Sequence, residues 1–169
     1  FEEAATIPQA SIVALQGLRN HGKIQSGQKV LINGASGGID VFAVQIAKSF
    51  GAEVTGVYST TNLELVHSIG ADHVIDYTQE DFTKSKERYD LIFDIAVSHS
   101  IKAYKRALNP KGIYIAAGFN PNSLFFGPII SMFGSKKVAS FMGKKNAKDL
   151  YILKELVEAG KVVPVISKR

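Results

Sequence analysis

At 169 residues the chain is long enough for one domain with a substantial core, and 46% hydrophobic against 21% charged residues is a globular balance that argues against disorder. The absence of cysteine excludes disulfides and thiolate metal sites, and His21, His67, His73 and His99 show no ligand-like spacing, so no metal is expected. The net charge of +5 comes from scattered Lys and Arg, which suits an anionic small ligand and a solvated basic surface better than nucleic acid, and no apolar stretch approaches the ~18 residues of a membrane span.

In chain order, PQASIVALQGLR (8–19) predicts a helix, with Gly22 beyond its end. QKVLING (28–34) predicts a strand with apolar residues on both faces. Residues 38–50 predict a helix, because Ile39, Phe42, Ala43, Ile46 and Phe50 recur at helical spacing and Gly51 follows as a stop. EVTGVYS (53–59) is a second strand, Asn62–Ile69 a short helix closed by Gly70, and HVIDY (73–77) a third strand. YDLIFDIAV (89–97) reads as a long buried strand, and 99–108 as a helix broken by Pro110 and Gly112. GIYIAAG (112–118) and KVASFM (137–142) are the fifth and sixth strands. The last helix is expected from the N-cap Asn146, with Asp149 completing something close to a capping box, to Gly160. KVVPVIS (161–167) is an extended run whose Pro164 suits an edge or exit strand.

Strands alternating with helices imply βαβ units and a parallel sheet. Right-handed crossovers then give an α/β, doubly wound Rossmann fold of about six strands in the order 3-2-1-4-5-6, with ligands at the carboxyl ends. The lead-in helix occupies 1–24, the Rossmann core 25–160, and 161–169 leaves the core. The opening Phe1 in place of Met, and an acidic start without a basic-then-apolar leader, lead to the expectation of a cytoplasmic fragment of a longer protein.

The stretch NGASGGID (33–40) stands between the first strand and the following helix, where backbone N–H groups at a helix start hold a pyrophosphate. It is a degenerate form of G-x-G-x-x-G and also of the short-chain dehydrogenase pattern. The second form requires Tyr-x-x-x-Lys, and no tyrosine here has Lys four residues later. A methyltransferase would place an acid at the tip of strand two, where this chain has Ser59, Thr60 and Thr61. The same missing acid disfavours NAD(H), whose ribose 2′-hydroxyl it would bond. Hydroxyls can donate to a 2′-phosphate, so NADP(H) is the expected cofactor.

Residues 27–82, GQKVLINGASGGIDVFAVQIAKSFGAEVTGVYSTTNLELVHSIGADHVIDYTQEDF, are similar to the zinc-independent, zeta-crystallin-like quinone oxidoreductases of the medium-chain dehydrogenase/reductases. AATIPQASIVALQGL resembles the helix that leads into their cofactor domain, and YDLIFDIAV and ALNPKGIYIAAG resemble their fourth and fifth strands. The resemblance implies hydride transfer from NADPH to a quinone or an α,β-unsaturated carbonyl. It implies that Ala35, Ser36, Gly37, Gly38 and Ile39 lie along the pyrophosphate, with Ser59, Thr60 and Thr61 flanking the 2′-phosphate. Tyr77 would sit near the adenosine phosphate, Ala96 and Val97 near the nicotinamide-side ribose, and Gly118, Phe119 and Asn120 near the nicotinamide. No catalytic residue is assigned, and His99 and Asp94 are read as a surface histidine and a strand-core acid.

Three departures qualify the resemblance. The family's GroES-like catalytic domain is missing, so little turnover is expected from this chain alone. Thr61 and Val13 stand where a basic residue and Thr are frequent. Asp40 replaces the last glycine of the turn, so it is expected either to push the helix outward or to bury a charge, and in both cases to weaken NADPH binding. The alternative function is a non-catalytic assembly module that has lost tight cofactor binding through Asp40 and forms a homodimer through the last sheet edge or the apolar run LFFGPIISMF (124–133).

Overall fold

The computed structural model describes residues 2–34, 38–117 and 134–164, with side chains from Gln9 onward. Six parallel strands form one sheet: β1 (Lys29–Asn33), β2 (Glu53–Tyr58), β3 (His73–Asp76), β4 (Tyr89–Asp94), β5 (Leu108–Ala117) and β6 (Lys137–Phe141). Their order is β3-β2-β1-β4-β5-β6, as expected. The helices are α1 (Glu2–Gln16), continued by a π-helical turn Gly17–His21, then α2 (Gly38–Ser49), α3 (Leu63–Ser68), α4 (Ile101–Ala107) and α5 (Ala147–Glu158). No helix among the described residues is long and apolar enough to cross a membrane.

The period-two pleat divides the core between two faces. Val30, Ile32, Leu91 and Phe93 join Ile12, Leu15 and Leu18 of α1 and its extension and Phe42, Ala43 and Ile46 of α2. Leu31 and Ile92, one residue out of phase, join Phe82, Tyr104 and Tyr114 on the opposite face. Both faces of β1 and β4 are therefore buried, which is why their sequences read as unbroken apolar runs.

Several boundaries differ from the sequence reading. The lead-in helix begins well before Pro8. β4 stops at Asp94, because the Asp94 carboxylate accepts the Val97 N–H at 2.9 Å and turns the chain. Pro110 and Gly112 do not delay β5. Pairing begins with Tyr89 opposite Leu108 and resumes with Leu91 opposite Ile113, so a bulge absorbs the proline. Asn146 caps α5 through the Lys148 N–H at 2.9 Å. Asp149, however, completes no capping box: it is fully buried and pairs with Arg19 and, at 2.7 Å, with Gln16 Nε2. Residues 161–164 form no strand, and 165–169 and 124–133 lie outside the described residues.

Candidate nucleotide site at the strand tips

The strand order reverses between β1 and β4, and a doubly wound sheet opens a crevice at such a switch point. A cavity of about 260 Å³ lies there. Asn33 and Gly34 line it from the end of β1, Val57, Tyr58 and Ser59 from the end of β2, Tyr77 from just beyond β3, and Ala96, Ser98 and His99 from the loop after β4. Among the predicted site residues, Ser59, Tyr77 and Ala96 meet in this cavity. Tyr77 is 56% exposed and so is not a core aromatic.

Gly38 and Ile39 form the first turn of α2 and do not line the cavity. Among the described residues, a Cβ on Gly38 would meet nothing nearer than the Ala10 Cβ at 3.8 Å. Ala35, Ser36, Gly37, Gly118, Phe119 and Asn120 lie outside the described residues. Val97 is outside the cavity wall and takes a left-handed backbone, φ 48°.

The predicted hydroxyl cluster is only partly available. Ser59 Oγ and Thr61 Oγ1 bond each other at 3.0 Å. Thr60 donates to Asp76 at the tip of β3, a residue the sequence reading passed over. Hydrogen bonds from Thr60, then from the Thr78 hydroxyl and N–H, hold the Asp76 carboxyl below the usual carboxylate range. An anion thus stands one strand away from the place where an acid would have signalled NAD.

His99, expected at the surface, is half-buried. Its ring packs edge-on against Phe82 and Tyr104, with centroids at 5.1 and 5.8 Å. Nδ1 lies 2.9 Å from Ser98 Oγ, and Nε2 lies 3.3 Å from Asp81. The rule that ligands sit at carboxyl strand ends was the signal that could have selected Ser98 and His99. Asp94 is the strand-core acid that was expected, and it is completely buried.

Asp40 turns its carboxyl inward. Its side chain is 1% exposed and lies over Gly34, where an added Cβ would stand 2.5 Å from Oδ2 and 3.0 Å from the Tyr58 ring. Oδ1 accepts the Val41 N–H at 3.0 Å within the first turn of α2. Burial, then the neighbouring Asp40 charge, push the Tyr58 hydroxyl far above the ordinary phenol range. Glycine at 34 is what makes room for the acid at 40. The crevice at the strand tips thus has a buried acid packed over Gly34, one of the residues that line it. Among the described residues no group of three or more His, Cys, Asp or Glu could hold a metal.

Residues 69–169 match the family described as zinc-binding dehydrogenase. The chain is 33% identical over 171 aligned positions to a 2-methylene-furan-3-one reductase of Solanum lycopersicum, covering 100% of this chain and 40% of the relative. It is 32% identical to a chloroplast envelope quinone oxidoreductase homolog of Arabidopsis thaliana, covering 99% of this chain and 54% of the relative. The quinone oxidoreductase from Coxiella burnetii superposes with a TM-score of 0.81 at 25% identity, covering 95% of this chain and 50% of that one. The chain thus spans about half the length of the relatives it matches.

Proposed function

The chain belongs to the zinc-binding dehydrogenase family of medium-chain dehydrogenase/reductases, as a cofactor-binding part with quinone oxidoreductase and enone reductase relatives, and from that premise we propose that it is the NADP(H)-binding domain of a zinc-independent quinone or enone reductase. The supporting observation is the cavity at the switch point, where Ser59, Tyr77 and Ala96 converge. A bound dinucleotide supplies the hydride. The chain's own residues hold and orient it: Tyr77 and His99 flank the adenosine end, the start of α2 faces the phosphates, and Ser59 and Thr61 face the 2′-position. The quinone or enone substrate belongs to the longer protein. The preference for the 2′-phosphate rests on the absence of an acid at the β2 tip, and Asp76, held ionised by hydroxyl and amide donors on the neighbouring strand, works against it.

Titration of the labelled protein with 2′,5′-ADP, followed by NMR, tests the site. Shifts centred on Ser59, Tyr77, Ala96 and His99 are expected. Shifts elsewhere, or none at millimolar ligand, would remove the reading.

A second reading, an assembly module with weakened cofactor binding, is favoured by the buried Asp40 and by the place of β6 as the last strand of the sheet among the described residues. Strictly monomeric sedimentation across concentration would eliminate it.

A further inference from the structure

Val97 is β-branched yet sits at φ 48°, a region such residues avoid because Cβ crowds the carbonyl. A conformation of this kind persists only where the surroundings over-determine it, and such positions cluster at ligand sites. The surroundings here are a buried polar cluster under the cavity floor. Asp94 Oδ1 accepts the Val97 N–H and Asn33 Nδ2, both at 2.9 Å. Asp94 Oδ2 accepts the Tyr114 hydroxyl at 2.7 Å. The Tyr104 hydroxyl accepts the next two amides, Ser98 N–H at 3.1 Å and His99 N–H at 3.2 Å, and its ring stacks on Tyr114 with centroids 4.5 Å apart. The Asn33 carbonyl accepts the N–H groups of Ile95 and Ala96. Every amide from Ile95 to His99 thus has a named acceptor, and the same loop presents Ala96, Ser98 and His99 to the cavity.

We propose that Asp94 and Tyr114 are positioning residues for ligand binding: together with Tyr104 they hold the loop from Ile95 to His99 in a strained, ligand-ready shape, although Asp94 and Tyr114 do not line the cavity themselves. This rests on the dinucleotide reading of that cavity. A fully buried carboxylate is costly to leave short of a donor, so loss of the Tyr114 hydroxyl acts on Asp94 and through it on Val97. Tyr114→Phe preserves the ring and its stacking, which separates this effect from packing. Glycine at 97 adopts φ 48° without the Cβ clash, so a loop carrying it depends less on the clamp.

The experiment is a double-mutant cycle with two readouts, NADPH affinity by calorimetry and amide hydrogen exchange by NMR. Tyr114→Phe is expected to accelerate exchange at Val97, Ser98 and His99 at least tenfold relative to Ile32 and Leu91 in the central strands. It is expected to weaken NADPH about tenfold, and Val97→Gly in the same chain is expected to restore most of that affinity. Uniform acceleration across the sheet, or an affinity loss that glycine does not rescue, would mean a merely structural role and would overturn the proposal. Wild-type protein that binds NADPH no better than the Tyr114→Phe variant overturns it while leaving the dinucleotide reading intact. Wild-type protein that binds neither NADPH nor NADH, with exchange responding as expected, overturns the dinucleotide reading and this proposal with it.

Discussion

At the scale of single residues, the strength of the proposed dinucleotide site turns on Asp40, buried over Gly34. Its carboxylate gains about 0.3–1 kcal/mol from the start of α2. Against a bound phosphate charge about 6 Å away the repulsion is roughly 3 kcal/mol at an effective dielectric near 20. Since a tenfold change in affinity is about 1.4 kcal/mol, the repulsion wins. Asp40→Gly is therefore expected to tighten NADPH at least tenfold, as measured by calorimetry. Asp76 sets a smaller term. Its exchange for Asn removes a charge beside the β2 tip, and the NADPH-to-NADH affinity ratio should rise about twofold, consistent with about 0.5 kcal/mol for solvated charges near 8 Å apart. Val97 carries a stability prediction of its own: Val97→Gly should stabilise the fold by about 1 kcal/mol in denaturant titrations, because relief of the left-handed strain exceeds the added chain entropy. Asp40 was legible as an anomaly in the sequence, but its outcome was not. Whether a side chain at position 40 turns outward or inward depends on the space above Gly34 and on the Tyr58 ring, and both come from other elements.

Among the elements, the α1–α5 contact shows what local reading can and cannot reach. Asp149 looked like a capping residue because it follows Asn146 by three positions, and local spacing carries no information about Arg19, which arrives from the other end of the chain. Burial alone would raise the Asp149 pKa, but hydrogen bonds from Arg19 and Gln16, with the guanidinium charge, outweigh it and hold the carboxyl below its usual range. The contribution of this pair to stability is therefore complete above the unfolded value near 3.9 and is lost as pH falls through the lower folded value. Thermal melts of an Asp149→Asn variant should show a weaker pH dependence than the wild type below about pH 4. Arg19→Ala, which leaves the buried carboxylate without its cation, should cost about 2–3 kcal/mol. The strands were read well for the opposite reason. Val30–Ile32 and Leu91–Phe93 announce two-sided burial directly in their apolar runs, whereas the early stop of β4 at Asp94 depends on a side-chain acceptor that periodicity does not register.

For the whole molecule, strand order followed from alternation and handedness, and the crevice followed from strand order. What the sequence left hidden was the far wall of that crevice. Ser98 and His99 come after a strand whose end was misplaced by three residues, and His99 is fixed by Asp81, Phe82 and Tyr104 from separate segments. The chain spans about half of the relatives it matches, so nucleotide binding is the activity it can be tested for directly. The most direct test is calorimetric titration of the purified chain and of its Asp40→Gly variant with NADPH and NADH. Measurable NADPH binding by the native chain, weaker binding of NADH and a tenfold or greater gain on Asp40→Gly are predicted. Failure of both proteins to bind either dinucleotide would contradict a nicotinamide-dinucleotide site at these strand tips.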